Sequence, residues 1–73
     1  MVDRELNCEG MSCPMPIVEI TKAVRQMDSG QTLEVKATDL AFKTDLEAWS
    51  RRTKNSIESF EAGAVQVARI KIS

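Results

Sequence analysis

Thr32-Leu33-Glu34-Val35-Lys36-Ala37-Thr38 alternates polar and apolar side chains at every step. Successive strand residues point to opposite faces, so Leu33, Val35 and Ala37 share one face while Thr32, Glu34, Lys36 and Thr38 share the other. A sheet covered on both sides would carry near-continuous apolar runs, so this strand predicts one buried and one solvated face. The expected architecture is an α+β two-layer sandwich with its helices on one side of the sheet.

Working outward, Arg4 to Cys8 reads as an opening strand with Leu6 and Cys8 on one parity. Ile17, Ile20, Thr21, Val24 and Met27 recur at helical spacing, with Glu19, Lys22, Arg25 and Gln26 on the other side. This amphipathic helix is expected to stop at Asp28-Ser29-Gly30, where Gly30 can take a positive φ. Phe42, Leu46 and Trp49 mark a second helix and place Trp49 in the core. It is entered at Asp39 or at Thr44, and the capping box of Thr44 with Glu47 favours a short first turn and then Thr44. Asn55 is the expected left-handed stop. Ser56 to Glu61 and Ala64 to Ile72 then form a hairpin around Ala62-Gly63. The predicted order is βαβαββ, two helices over a four-stranded mixed sheet. Apolar parity changes from Val65 and Val67 to Ile70 and Ile72, which predicts a bulge near Ala68 and leaves the buried parity of that strand open.

The chain has 73 residues, short enough that residues 1–73 are expected to form a single domain with no cleft between lobes. It must share whatever large chemistry it serves. Hydrophobic residues make up 42%, with two Phe, one Trp and no Tyr, so a small, mainly aliphatic core is expected. Ten Lys+Arg against eleven Asp+Glu give a net charge of −1, which lacks the electrostatic footprint of a direct nucleic-acid binder. No apolar run approaches the roughly 18 residues that span a bilayer, so no membrane role is expected without a partner. Met1-Val2-Asp3-Arg4-Glu5 has no basic and apolar signal region, and two Cys are too few for a disulfide scaffold. A reduced, cytoplasmic setting and a monomer are the expectation. His is absent, so the chain has no Cys-His or Ser-His-Asp pair of its own. Two Cys without His also cannot fill a tetrahedral metal site, and no metal or cofactor is expected.

The chemistry-bearing segment is Gly10-Met11-Ser12-Cys13-Pro14-Met15-Pro16, between the first strand and the first helix. A residue before proline is pushed away from the α region, so Cys13 and Met15 should be extended, Met15 the N-cap and Pro16 the first helical residue. Cys13 would then stand just outside the positive end of a helix, where a thiolate or persulfide anion is favoured and a thiol pKa falls. Met11 and Met15 would give it a soft apolar surround suited to partner docking. The competing account is that the prolines only fix a turn and Cys13 fills space.

Leu6-Asn7-Cys8-Glu9-Gly10-Met11-Ser12-Cys13-Pro14-Met15-Pro16, followed by Ala37-Thr38-Asp39 after the second strand, resembles the TusA (SirA-like) family of small sulfur carriers over essentially the whole chain. The resemblance implies a βαβαββ two-layer fold and a motif cysteine, here Cys13, that carries sulfane sulfur as a persulfide, supported by Gly10, Pro14 and Pro16. It further implies a protein donor, such as a cysteine desulfurase or rhodanese-like protein, and a protein acceptor in tRNA thiolation, molybdenum-cofactor synthesis or sulfur oxidation. The family usually has Asp where this chain has Asn7, often Arg at Glu9 and often Pro at Leu40.

Other residues have two readings each. Cys8 is a core or edge packing residue, or a secondary thiol. Arg51, Arg52 and Lys54, with Lys43 earlier in the helix, complement its C-terminal dipole or form a docking patch for an acidic partner. Two further function classes remain beside the sulfur carrier. One is a non-catalytic protein- or RNA-interaction module using the open sheet face, whose Thr32, Glu34, Lys36 and Thr38 lack base-stacking aromatics. The other is a redox sensor pairing Cys8 with Cys13.

Overall fold

The computed structural model describes residues 2–73. Strand β1 (Arg4–Cys8) leads to helix α1 (Met15–Val24), β2 (Thr32–Ala37), α2 (Phe42–Thr53), β3 (Ser56–Glu61) and β4 (Gln66–Lys71). The four strands form one mixed sheet, as expected, in the order β1-β2-β4-β3. β1 runs parallel to β2, with Arg4 opposite Leu33 and Cys8 opposite Ala37. β2 and β3 each pair antiparallel with β4.

Leu33, Val35 and Ala37 of β2 are all buried, joined by Ala68 and Ile70 of β4 and by Ile72 just beyond it. Ile20 and Ala23 of α1 and Phe42, Leu46 and Trp49 of α2 complete the same core cluster, so both helices cover one face. Each fully buried large side chain contributes about 1.5 to 3 kcal/mol of hydrophobic stabilisation. All three aromatics serve the core: Phe42 and Trp49 are buried, and Phe60 stacks on Phe42 with ring centroids 6.1 Å apart. The core is mainly aliphatic, as expected, with Phe42 and Trp49 brought to it by α2. On the opposite face Glu34 accepts from Arg69 Nε at 3.0 Å across the β2–β4 register.

Several boundaries depart from the sequence reading. α1 ends at Val24, with Arg25 as its C-cap, not at Gly30. Gln26 and Met27 close three-residue turns onto Ala23 and Val24, tightening the exit as helix ends commonly do. Gly30 does take a positive φ of 89°, in the turn into β2, where its N–H donates to the Ile72 carbonyl. α2 starts at Phe42, so the Thr44–Glu47 capping box does not form. Asp39 makes the entry instead, its carboxylate accepting the Ala41 N–H at 3.2 Å and its carbonyl the Phe42 N–H at 3.1 Å. β4 begins at Gln66 and not Ala64, after a hairpin loop that spends Ala62 to Val65.

The bulge lies in β3, not near Ala68. Ile57 faces Ile70 while Ser59 faces Arg69, so Glu58 is the extra residue. The reason is spacing: Ile57 and Phe60 are three apart, and both pack against the core only if one residue between them is taken out of register. Ala68, Ile70 and Ile72 are the buried parity of the last segment, and Val65 is exposed.

Asn55 is not the left-handed stop. Lys54 takes that conformation with φ 65° and closes its N–H on the Ser50 carbonyl. Asn55 is buried, and its Oδ1 accepts from the Ser73 backbone N–H at 2.9 Å and the Ser73 hydroxyl at 3.1 Å. Asn55→Ala removes this acceptor and should lower stability by about 1 to 3 kcal/mol, measured by urea unfolding. Exchange of the Ser73 amide should accelerate in the same variant, and an unchanged midpoint would show that the clasp holds nothing.

Candidate functional site

Parallel pairing places the C-terminal ends of β1 and β2 side by side, so both helices start from the same edge of the sheet. The loop after β1 is fixed residue by residue. Asn7 Oδ1 accepts the Glu9 N–H at 2.9 Å, and the Met11 N–H returns to the Cys8 carbonyl at 3.2 Å. Gly10, with φ 82°, donates its N–H to Thr38 Oγ1 at 2.9 Å and so ties this loop to the one after β2. A side chain at Gly10 would be strained by that φ whatever the space around it.

Ser12 to Met15 then form a turn, with the Met15 N–H on the Ser12 carbonyl at 2.8 Å and a cis Cys13–Pro14 peptide. Cys13 is exposed in this turn, whereas Cys8 is fully buried at the end of β1. The helix begins one residue earlier than expected: Pro14 is the N-cap, Met15 the first helical residue and the buried Pro16 the second. Met15 is therefore helical despite preceding a proline. Pro is tolerated throughout the first turn, where no intrahelical N–H is required, and the turn bond of Met15 to Ser12 holds it in place.

The expected lowering of the Cys13 pKa is overturned. Its thiol is pushed above the usual value, first by hydrogen bonding with the Asp45 carboxylate, then by desolvation and by the charges of Asp45 and Asp39. The helix end offers nothing to counter this. Pro14 and Pro16 have no N–H, the Met15 N–H is spent on Ser12, and those of Ile17 and Val18 both point to the Pro14 carbonyl at 3.1 and 3.2 Å. The unsatisfied amides that make a helix start attractive to anions are used up. The Cys8 thiol is also raised, mainly by burial and secondarily by Glu19.

Cys13 opens onto a shallow groove of about 200 Å³ between the start of α1 and one flank of α2, lined by Pro14, Ile17, Asp45, Ala48 and Arg52. Of the three basic residues singled out near the end of α2, Arg52 alone reaches this groove. Arg51 and Lys54 are exposed elsewhere on the helix end, and Lys43 lies over the Phe60 ring, 5.5 Å from its centroid. Met15 is exposed beside the turn, whereas Met11 is half-buried against the core. Among the described residues no three His, Cys, Asp or Glu side chains gather as a metal site would need, and no helix is long and apolar enough to cross a membrane.

Asp45 was missed from sequence. The signal was present: Asp45, Ala48 and Arg52 follow i, i+3, i+7 spacing, one position off the buried stripe of Phe42, Leu46 and Trp49. What the sequence did not provide was the neighbour of that stripe.

A family model described as "Sulfurtransferase TusA" matches residues 4–73. The "Sulfur carrier protein TusA" of Allochromatium vinosum is 42% identical over 62 residues, 84% of this chain and 82% of that protein. A Bacillus subtilis protein named "Putative sulfur carrier protein YrkI" is 53% identical over 49 residues, 67% of this chain and 65% of its own length. A "Putative sulfur carrier protein" of Aquifex aeolicus is 37% identical over 59 residues, 81% of this chain. The match spans only 30% of that longer relative.

Both raised thiols have a stability consequence of stated sign. A group whose folded pKa lies above its unfolded one loses its stabilising contribution as pH rises through the folded value, so stability should fall on the alkaline side of the ordinary thiol range. At a single site, alkylation of Cys13 by iodoacetamide, followed by peptide mapping, should show a pH midpoint that drops when the chain is unfolded in urea. A midpoint that rises on unfolding would mean the Asp45 field does not act on Cys13.

Proposed function

This chain belongs to the TusA sulfurtransferase family, and from that premise we propose that Cys13 is the atom that carries sulfane sulfur, as a persulfide, between a donor and an acceptor protein. One observation supports this most strongly: of the two thiols, Cys13 is exposed on a fixed turn and Cys8 is completely enclosed. Sulfur exchange between proteins needs a thiolate, access and alignment, and it needs no base of the carrier's own.

In the loading step Cys13 Sγ attacks the outer sulfur of a donor cysteine persulfide. A new S–S bond forms on Cys13, the donor's S–S bond breaks, and the Cys13 proton ends on the departing donor thiolate. Unloading is the same exchange run toward an acceptor thiol. Sulfur is neither oxidised nor reduced overall, so no redox cofactor enters the step. A cysteine desulfurase or rhodanese-like protein fits the donor role, and the acceptor lies in a downstream sulfur relay.

The cytoplasm is the compartment that suits such free thiols. Gly10, Pro14 and Pro16 support the reactive atom by fixing the loop, the turn and the helix start around it. Burial of Cys8 removes the support for a Cys8–Cys13 redox pair. The open sheet face carries the Glu34–Arg69 ion pair and offers no aromatic platform for an RNA reader.

Cys13→Ser should abolish the gain of one sulfur, read as intact mass after treatment with a desulfurase and cysteine. Cys8→Ser should load normally while losing about 1 to 3 kcal/mol of stability from a buried, unpartnered hydroxyl. Circular dichroism establishes folding of each. Loading of folded Cys13→Ser would sink the assignment.

A further inference from the structure

Asp45 holds an unusual position among the charged residues of this chain. It is half-buried on the flank of α2 and lines the Cys13 groove, yet no ion pair reaches it among the described residues; the two pairs present are Lys22–Glu19 and Arg69–Glu34. Arg52 lines the same groove but sits seven residues on, about 10 Å along the helix axis at 1.5 Å per residue and beyond the three- or four-residue reach of helical ion pairs. From α1 the groove receives Pro14 and Ile17, and Asp39 adds a second negative charge from the corner after β2. Thus the reactive end of the groove is acidic and lacks a cation of its own, and a cation stands two turns away.

A partner that brings its own cysteine to Cys13 must cover this groove and expel its water. Covering an unpaired carboxylate is costly, and it strengthens the repulsion between that carboxylate and the thiolate forming beside it. The cost disappears if the partner supplies a positive charge to Asp45. The same pairing neutralises the group that holds the proton on Cys13. Resting on the reading of Cys13 as the sulfur-bearing atom, we propose that Asp45 is a positioning residue that seats a basic side chain of the donor protein, and that this pairing releases Cys13 for transfer. Arg52, at the far end, takes an acidic group of the same partner and sets its orientation along the groove.

With the ion pair formed, the Cys13 thiol gives up its proton and its sulfur attacks the outer sulfur of the donor persulfide; the new S–S bond forms on Cys13, the donor's S–S bond breaks, and the proton ends on the departing donor cysteine. In the free carrier the Asp45 carboxylate favours the protonated thiol over the thiolate. Asp45 thus couples reactivity to docking.

The test separates the two halves of the idea with Asp45→Asn, Asp45→Lys and Asp45→Glu. In the absence of any partner, Asp45→Asn should alkylate at Cys13 about three- to tenfold faster near neutral pH, because a thiol relieved of that carboxylate ionises more readily. With a bacterial cysteine desulfurase and L-cysteine, the same variant should show a higher KM for the carrier and an undiminished kcat. Asp45→Lys should raise KM further although its thiol is at least as reactive, and Asp45→Glu should restore both readouts toward wild type. An alkylation rate unmoved in folded Asp45→Asn overturns the inference, as does an unmoved KM in Asp45→Asn and Asp45→Lys. A wild-type chain that gains no sulfur removes the carrier reading and this inference together, whereas loading with an unmoved KM removes the inference alone.

Discussion

The parallel pairing of β1 with β2 is the constraint from which the candidate site follows. Two strands that run the same way end on the same edge, so the two loops that leave them, and the two helices those loops begin, are brought together there. The Gly10 N–H to Thr38 Oγ1 bond joins the loops directly. Had the first two strands paired antiparallel, Cys13 and Asp45 would start from opposite edges of the sheet. The hairpin of β3 and β4 meets the corner at one point, where Gln66 Nε2 donates to the Asp39 carbonyl at 2.7 Å. It widens the sheet and, through Ile57, Phe60, Ala68 and Ile70, supplies the floor on which α2 lies.

Much of this was legible because alternation and helical spacing are direct consequences of burial. Leu33, Val35 and Ala37 revealed the covered face, and Phe42, Leu46 and Trp49 revealed the covered stripe of α2. Where the reading failed, a backbone hydrogen bond or a tertiary neighbour outweighed a local preference. Thr44 had the better capping sequence, yet Asp39 captured two amides at a point where the strand had already ended. Asn55 had the better left-handed propensity, but its amide was needed for Ser73, and Lys54 accepted the strained conformation instead. In β3 the three-residue spacing of Ile57 and Phe60 carries the signal of the bulge, whereas the parity change in β4 reflects only the exposure of Val65.

The site shows the same division more sharply. Cys-Pro-Met-Pro marks the candidate corner because proline constrains local geometry, and local geometry can be read from neighbours in sequence. The electrostatics at Cys13 come from a helix thirty residues later, and the inference from a helix start alone had the wrong sign. With prolines at positions 14 and 16 and the remaining first-turn amides bonded to Ser12 and Pro14, the helix start has few free N–H groups with which to hold an anion.

That outcome changes what kind of carrier the corner describes. A thiol permanently activated by its own protein would react with whatever sulfur or oxidant it met, and a small domain with its reactive atom on the surface has no lid to prevent this. Exposure of Cys13 and suppression of its thiolate are therefore complementary features. The first leaves the thiol open to a large partner, and the second favours its protonated form in the free chain. On the proposed reading, selectivity lies in the charges that a partner brings to the groove, which is consistent with a domain too small to enclose a substrate. On that proposal the chain supplies a fixed, accessible thiol at Cys13, and the partner completes the site.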